Sequence, residues 1–185
     1  MEIIIVAGAN GSGKSTLASQ LDFNCEFINA DKYEKVLLSH IADKNERELR
    51  AGMIVANEIK SAISANKSFA FETVFSTKEI PSFLKTAKQK GYKITLHYIS
   101  TSAPEINIER VATRVRQGGH DVPRDKIIER YNLSTAILPR LIEFADNAII
   151  YDNSTKLQSF LIKENNEIKT IGETPQWATK ILPAC

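Results

Sequence analysis

Residues 8–15 read Gly8-Ala9-Asn10-Gly11-Ser12-Gly13-Lys14-Ser15 and match the pattern G-x-x-x-x-G-K-[ST]. An apolar run, residues 3–7, comes directly before the motif, and residues 16–21, which favour a helix, follow it. Glycines let backbone N–H groups turn toward a polyphosphate that also faces a helix N-terminus. The segment therefore predicts a phosphate-binding loop between a buried strand and a helix.

The motif predicts that residues 8–16 contact a nucleoside triphosphate such as ATP. Lys14 is expected to reach the β- and γ-phosphates, and the hydroxyl of Ser15 is expected to hold Mg²⁺. The alternative is a Gly/Ser-rich turn without a ligand. The pattern arises by chance in roughly 1 of 200 chains of this length, which makes that alternative weak.

The composition predicts an ordinary globular protein. The 185 residues are enough for one domain, residues 1–185, and contain 43% hydrophobic and 25% charged residues. Against 22 acidic residues stand 24 Lys and Arg, and this net charge of +2 is too small to indicate a nucleic-acid partner. Cys25 and Cys185 lie outside metal-ligand spacings and fit free thiols. We expect no signal peptide, no membrane span and a cytoplasmic location.

Apolar runs alternating with helical patterns predict a parallel sheet with helices on both faces. The expected strands are residues 3–7, 25–30, 68–75, 92–100 and 148–151. The expected helices include 32–42, 44–66, 77–90 with Thr77 as N-cap, 104–117, and one after Pro123 that Pro139 kinks or splits. Residues 156–185 are expected to add a hairpin, turning at 164–166, and a short helix near Trp177, which cover a sheet edge.

Acidic residues stand where two of these strands end, and ligands of such sheets bind beyond the carboxyl ends of the strands. Asp31 follows the second strand, where a carboxylate could accept a proton from an attacking hydroxyl or reach Mg²⁺ through water. Its alternative role is a helix N-cap. Glu72 interrupts an apolar run and needs a charged partner or a metal, reached through water, unless it faces outward on an edge strand.

Two further segments carry candidate site residues. Asp152 follows the fifth strand, and there we favour a nucleotide contact by residues 152–154, with Asn153 as the contact, or a plain turn over a metal-binding Walker B acid. Residues 109–130 form a basic segment that could close over a nucleotide as a lid, with Gly118-Gly119 as its hinge. The alternative is a solvated helix pair with internal ion pairs, and His120 is favoured as a surface or hinge residue. The cations of the segment are Arg110, Arg114, Arg116, Arg124, Lys126 and Arg130.

Taken together, these motifs resemble the zeta-toxin-like family of P-loop kinases. The matching stretches are residues 8–16, Asn29-Ala30-Asp31, Phe71-Glu72-Thr73, residues 90–94, Arg110 to Pro123 with its Gly118-Gly119-His120-Asp121-Val122-Pro123 segment, Arg130-Tyr131, and residues 152–154. The resemblance covers residues 1–155 and implies a three-layer α/β P-loop kinase fold. That fold has a five-stranded parallel sheet in the order 2-3-1-4-5.

The resemblance also implies roles. Asp31 resembles the catalytic base of the family, Glu72 and Thr73 its substrate-side residues, and Arg110, Arg114 and Arg130 the arginines that clamp the transferring phosphate. Zeta toxins phosphorylate a UDP-linked amino sugar and are held by a small antitoxin. The implied acceptor is thus a small-molecule hydroxyl such as that of UDP-N-acetylglucosamine, and the implied protein partner is antitoxin-like. The chain is shorter than zeta toxins and its lid sequence differs.

Two classes of function fit this sequence. The favoured one is an ATP- and Mg²⁺-dependent kinase, in which Asp31 activates the acceptor and Lys14 with the arginines stabilises the transferred phosphate. The other is a nucleotide-dependent regulatory module, in which ATP binding orders the Gly118-Gly119 region for a protein partner. A nucleic-acid end kinase is disfavoured because the chain lacks a basic stripe.

Overall fold

Five parallel strands form the centre of the sheet. The computed structural model describes residues 1–179, 181 and 182, without the side chains of residues 31, 35, 44 and 45, so Cys185 lies outside the described residues. The strands are β1 (Glu2–Ala7), β2 (Glu26–Ile28), β3 (Phe69–Thr73), β4 (Lys93–Ser100) and β5 (Asn147–Asp152). Their order, β2-β3-β1-β4-β5, is the predicted one.

Helices cover both faces of this sheet. They are α1 (Lys14–Gln20), α2 (Ala30–Val36), α3 (Lys44–Ser64), α4 (Ser82–Gln89), α5 (Pro104–Arg116), α6 (Arg124–Phe144) and α7 (Gln176–Thr179). Because side chains alternate along a strand, β1 contributes to a core on each face. Ile3 and Ile5 pack into the core under α3, α4 and α6, whereas Val6 packs with Leu17 of α1.

The predicted start of one helix and the predicted split of another at Pro139 were wrong, and proline explains the first; a kink at Pro139 stays a prediction. α4 begins at Ser82, so Thr77 is not its N-cap; its hydroxyl donates to the carbonyl of Glu79 instead (2.9 Å). Pro81 disfavours helical backbone at the residue before it, which delays the start of the helix. Pro139, in contrast, does not split α6, which runs unbroken past it. Buried Leu138 and Leu141 on either side hold the helix against the sheet.

The C-terminal hairpin extends the sheet. β6 (Gln158–Glu164) pairs antiparallel with β5 and covers its edge, and β7 (Glu167–Thr170) pairs with β6. Asn165 and Asn166 have φ of +49° and +69°, the left-handed pair that a two-residue hairpin turn requires. Buried Lys163 of β6 donates to three carbonyls at the end of α6, including those of Ile142 and Ala145. The predicted hairpin and its turn are therefore confirmed.

Over the described residues, no helix has both the length and the apolar character that crossing a bilayer needs.

Gly52, in the middle of α3, gives a test of the helix energetics. A Cβ at this position would meet nothing within 4 Å, so the substitution Gly52→Ala is expected to raise the free energy of unfolding by about 0.5–1 kcal/mol. Gly91 is the matched control, because it also has open space around it but has a φ of +83°. The substitution Gly91→Ala is expected to lower the free energy of unfolding by about 1 kcal/mol. Urea unfolding of both variants measures these changes, and equal shifts would contradict the explanation.

Candidate functional site

The loop after β1 is held by close backbone packing. It leaves β1 at Ala7 and enters α1 at Lys14. A Cβ on Gly8 would lie 2.1 Å from the carbonyl oxygen of Ile99, and one on Gly11 would lie 2.5 Å from that of Asn107. Both approaches exclude any side chain, which explains two of the three glycines in the motif. The loop is thus built against β4 and α5 as well as between β1 and α1.

Glu72 meets two residues of this loop. The carboxylate oxygen Oε1 accepts a hydrogen bond from the hydroxyl of Ser15 (3.2 Å) and lies 3.9 Å from Nζ of Lys14. Lys14 is 7% exposed, and its Nζ also donates to the carbonyl of Ala9 (3.0 Å). β3 lies between β2 and β1, and its register sets Glu72 beside Val6. The alternative that Glu72 faces outward on an edge strand is therefore wrong.

Three buried polar atoms without a hydrogen-bond partner belong to the loop or to residues that line the cavity beside it. Among the described residues, four buried side-chain atoms have no hydrogen-bond partner: Ser12 Oγ, Glu72 Oε2, Arg110 Nη1 and Thr135 Oγ1. The first belongs to the loop, and the next two belong to residues that line the cavity beside it. Buried polar groups are almost always paired in folded proteins. Acceptors and donors left free at one spot indicate a site for a polar, charged ligand.

A cavity of about 530 Å³ opens over the loop. Its walls come from the loop, from α2 and α3, from the end of β3, and from α5 and α6. Most of the sequence-predicted site residues line it: Asn10, Gly11, Gly13, Lys14, Ser15, Thr16, Glu72, Thr73, Arg110, Arg114 and Arg130. Gly8, Ala9 and Ser12 are buried residues of the same loop and do not line the cavity. The cavity thus collects residues from distant parts of the chain.

Three arginines reach this cavity from α5 and α6. Arg130 donates from Nη1 to Oδ1 of Asn10 in the loop (3.1 Å), and Arg114 donates to the carbonyl of His120 (2.6 and 3.0 Å). Arg110 donates weakly to the carbonyl of Ser154 (3.4 Å). The alternative of a solvated helix pair with internal ion pairs therefore does not hold for these three arginines. It does describe the remaining cations of the segment, Arg116, Arg124 and Lys126, which are exposed.

The turn between α5 and α6 contacts the opposite side of the cavity. His120 Nε2 lies 3.1 Å from Oε1 of Glu48 on α3, and both residues line the cavity. His120 was predicted as a surface or hinge residue, and the structure places it, half-buried, at the rim. This contact connects the predicted lid to α3. Closure of the lid itself stays a prediction.

Sequence reasoning missed the polar support of the loop. Asn107 is 0% exposed; its Nδ2 donates to the carbonyl of Asn10 (2.8 Å), and its Oδ1 accepts from Thr101 Oγ1 (2.6 Å). Tyr131 donates to the carbonyl of Thr101 (2.7 Å), and burial raises the pKa of Tyr131, which keeps this donor protonated. A signal existed, because Asn107 precedes Arg110 and Arg114 by three and seven residues, on the same helix face.

The end of β5 supports the loop from the other side. Asn153 donates from Nδ2 to the carbonyl of Ser12 (2.8 Å), so it contacts the loop backbone without lining the cavity. Asp152 is buried and accepts hydrogen bonds from Ser154 Oγ (2.7 Å) and Trp177 Nε1 (2.8 Å). Its carboxylate therefore closes a turn and fastens α7, which favours the turn alternative over a metal-binding acid.

The position of Asp31 is described only through its backbone. The residue lies in the first turn of α2, and its side chain is outside the described residues. Asn29 and Ala30, directly before it, line the cavity. The chain therefore passes the cavity at the predicted place, and the role of the carboxylate stays a prediction.

Known proteins are similar to this chain in the region that carries the site. The sequence model of the AAA domain family matches residues 3–131. An uncharacterized protein of Haemophilus influenzae (strain Rd) is 34% identical over 130 residues, which cover 69% of this chain and 91% of that protein. The matched region includes the loop and all three arginines of the cavity.

Solved structures share the fold. The AvrRxo1-ORF1:AvrRxo1-ORF2 complex with sulphate ions superposes with a TM-score of 0.74 at 16% identity, covering 97% of this chain. This chain spans 63% of the length of that one. A further structure of the same complex contains ATP. It superposes with a TM-score of 0.72 at 15% identity, covering 92% of this chain and 60% of that one. The PezAT chromosomal toxin-antitoxin system of Streptococcus pneumoniae superposes with a TM-score of 0.62 at 18% identity, covering 98% of this chain and 78% of that one. At these identities the likeness shows the P-loop kinase-like fold.

Asn107 supplies a test of how the loop is supported. The substitution Asn107→Ala removes the side-chain donor to the carbonyl of Asn10 and leaves the hydroxyl of Thr101 with only the carbonyl of Ala103 as acceptor, and is expected to lower the free energy of unfolding by about 1–3 kcal/mol. Amide protons of residues 10–13 are expected to exchange faster. Glu109→Ala, at an exposed position on the same helix, is the control and should change neither measurement. Unchanged exchange in the Asn107 variant would contradict its supporting role.

Proposed function

The chain belongs to the AAA domain family, and we propose that it is a P-loop kinase that transfers the γ-phosphate of ATP to a hydroxyl group of a small molecule. The observation that carries the proposal is the contact of Glu72 with both Lys14 and Ser15 at the phosphate loop. A glutamate there, with Oε2 still unpaired, can serve the metal or the acceptor in addition to the loop. We also propose that residues 1–185 form one domain.

The described residues fit a nucleotide with Mg²⁺. The loop backbone and Lys14 would hold the β- and γ-phosphates. Magnesium is commonly held by one or two protein groups together with phosphate oxygens and water, and Ser15 and Glu72 supply such groups. Within the described residues no group of three or more metal-binding His, Cys, Asp or Glu exists, which fits a metal held mainly by phosphate. When bound, Mg²⁺ neutralises phosphate charge.

The arginine side of the cavity fits the transferred phosphate. Arg110, Arg114 and Arg130 line the cavity. Arg110 has an unpaired Nη1 there, and the weak contact of its Nη2 with Ser154 leaves the guanidinium able to bind an anion. Charge spreads over the phosphate oxygens during transfer, so positioned guanidinium donors lower the barrier. We assign this clamping role to the three arginines.

Asp31 is the proposed base. The acceptor hydroxyl gives its proton to the carboxylate of Asp31 as its oxygen attacks the γ-phosphorus. The bond between that phosphorus and the oxygen bridging to the β-phosphate breaks, and ADP leaves with the electron pair. Glu72 and Thr73, which line the cavity at the end of β3, orient the acceptor. The strand-end position of Asp31 and the resemblance to zeta toxins support this assignment.

The proposed acceptor and protein partner follow the resemblance to zeta toxins. Nucleotide sugars such as UDP-N-acetylglucosamine are the first acceptors to test, because zeta toxins act on such a compound. PezAT is by its name a toxin-antitoxin system, which supports an antitoxin-like protein partner here. An enzyme that consumes ATP needs the compartment that supplies it, so the proposal places the chain in the cytoplasm.

The contact of His120 with Glu48 favours one alternative, a nucleotide-dependent regulatory module. It links the turn after α5 to α3, so a change at the arginines could reach the exposed surface of α3. Transfer of labelled γ-phosphate to a compound in a metabolite extract separates the two functions. A kinase labels an acceptor, whereas a regulatory module binds ATP and hydrolyses it only slowly.

Replacing the proposed base should separate chemistry from binding. The variant Asp31→Asn is expected to keep ATP binding and to lose turnover by at least ~10²-fold, because an amide cannot accept the proton. Isothermal calorimetry and labelled-phosphate transfer measure the two effects. Asp22→Asn, an exposed acid near the loop, is the control. Turnover at the unmodified rate in the Asp31 variant would refute its assignment.

Removing the loop lysine should impair binding as well as turnover. The variant Lys14→Ala loses the buried ammonium group at the loop, and both ATP affinity and turnover are expected to fall at least ~10-fold. Lys85→Ala, an exposed lysine on α4, is the control and should behave like the unmodified chain. Circular dichroism checks that both variants fold. Normal ATP affinity in a folded Lys14 variant would overturn the role of the loop.

A further inference from the structure

A second cavity opens beside the phosphate cavity. It has a volume of about 260 Å³, and Glu72 and Thr73 line both cavities. Its other walls come from α3 and from the chain after β3, including Ile59, Phe75 and Phe83. A molecule in this second cavity would therefore touch the same glutamate that meets Lys14 and Ser15.

The walls of this second cavity are mainly apolar. Ile59, Phe71 and Phe75 are buried in the core, and Val55 and Phe83 pack against it. Lys60 adds one cation at an exposed position. For scale, an apolar protein cavity of roughly 150 Å³ binds benzene. The space suits a compact ring or a short branched chain better than a nucleoside diphosphate, whose polar groups would lose water without gaining partners.

Phe75 fixes the shape of the wall with a strained backbone. Its φ of +49° lies in the left-handed region, where a bulky residue is a rare exception, although the residue is 4% exposed. Its N–H points to Thr73 Oγ1 (3.4 Å). Strained residues of this kind gather at ligand sites, where the surrounding structure holds them. Here the turn puts the ring in the wall of the second cavity while Thr73 still faces the phosphate cavity.

Small residues keep the α3 side of the second cavity open. Gly52 and Ala56, one helical turn apart, are exposed and line the cavity. Gly52 disfavours a helix, and nothing within 4 Å would obstruct a Cβ there. The packing of the chain itself thus gives no reason for a glycine. Room for a bound molecule does give one.

We propose that the second cavity binds the apolar part of the phosphate acceptor. The acceptor is then an alcohol with a compact apolar body, whose hydroxyl reaches Glu72 and Thr73 while its body lies between α3 and Phe75. The inference rests on the proposed kinase function and names its substrate class. It predicts an acceptor different from the nucleotide sugars that the zeta-toxin-like resemblance implies, and the transfer assay below decides between the two.

The test begins with binding of a simple probe, 4-fluorobenzyl alcohol, followed by fluorine NMR. The variant Ala56→Phe places a ring where the cavity opens. It is expected to weaken probe binding at least ~10-fold, because the aromatic ring of the probe can then no longer be buried against the apolar walls. Met53→Phe is the matched control, because Met53 is 60% exposed on the same helix and does not line the cavity. Its affinity for the probe should equal that of the unmodified chain.

Two further readouts guard against a folding artefact. Thermal unfolding and ATP calorimetry establish that Ala56→Phe is folded and still binds nucleotide. In the unmodified chain, the methyl resonances of Val55 and Ile59 should shift on addition of the probe, which tests the site without any substitution. Failure of these methyl groups to respond, or equal probe affinity in the two phenylalanine variants, would overturn the inference.

A transfer assay then separates the inference from the proposed function. An acceptor found in the metabolite screen should show a raised KM in Ala56→Phe with an unchanged KM for ATP. If the acceptor is a nucleotide sugar that Ala56→Phe phosphorylates normally, the cavity assignment fails and the kinase proposal stands. If the chain binds ATP and the probe but transfers phosphate to no acceptor, the kinase proposal fails and takes the acceptor assignment with it.

Discussion

The hydrogen bond from Ser15 to Glu72, with Lys14 close by, is the interaction on which the site depends. It joins the first turn of α1 to the end of β3, two elements more than fifty residues apart in the chain. The parallel register of β1 and β3 makes it possible, because Glu72 stands beside Val6 just before the loop begins. A carboxylate with one oxygen so engaged and the other unpaired marks the meeting point of the phosphate cavity and the second cavity.

Side chains of both charges line the phosphate cavity. Among its described lining residues, the guanidinium groups come from α5 and α6, whereas Glu34, Glu48 and Glu72 come from α2, α3 and β3. Two of these carboxylates have cationic or histidine neighbours, since Arg47 lies 3.4 Å from Glu34 and His120 Nε2 lies 3.1 Å from Glu48. Both kinds of group suit phosphate transfer, in which the phosphate needs cations and the attacking hydroxyl needs an acceptor.

The C-terminal addition supports this arrangement from outside the site. Asp152 fastens Trp177, and Asn153, the next residue, holds the carbonyl of Ser12 in the loop. Lys163 secures the end of α6, the helix that carries Arg130 toward the cavity. The hairpin thus covers the edge of β5 and, through Lys163, stabilises the helix that carries Arg130.

Local patterns in the sequence determined the strand–loop–helix motif, the five parallel strands and the hairpin turn, because glycine positions, apolar periodicity and strand ends are visible without long-range contacts. Many of the cavity residues, including Lys14 and Glu72, were also named from the sequence, whereas Glu34 and Glu48 were not. The start of α4 escaped this reasoning, since Pro81 overrides the pattern before it. Only the tertiary structure decided that Asn107 supports the loop, that Asp152 fastens α7 and that a second cavity adjoins Glu72. Each of these depends on which distant groups fold into contact. The spacing of Asn107 from Arg110 and Arg114 indicates a shared helix face, but it does not identify the group that the amide contacts.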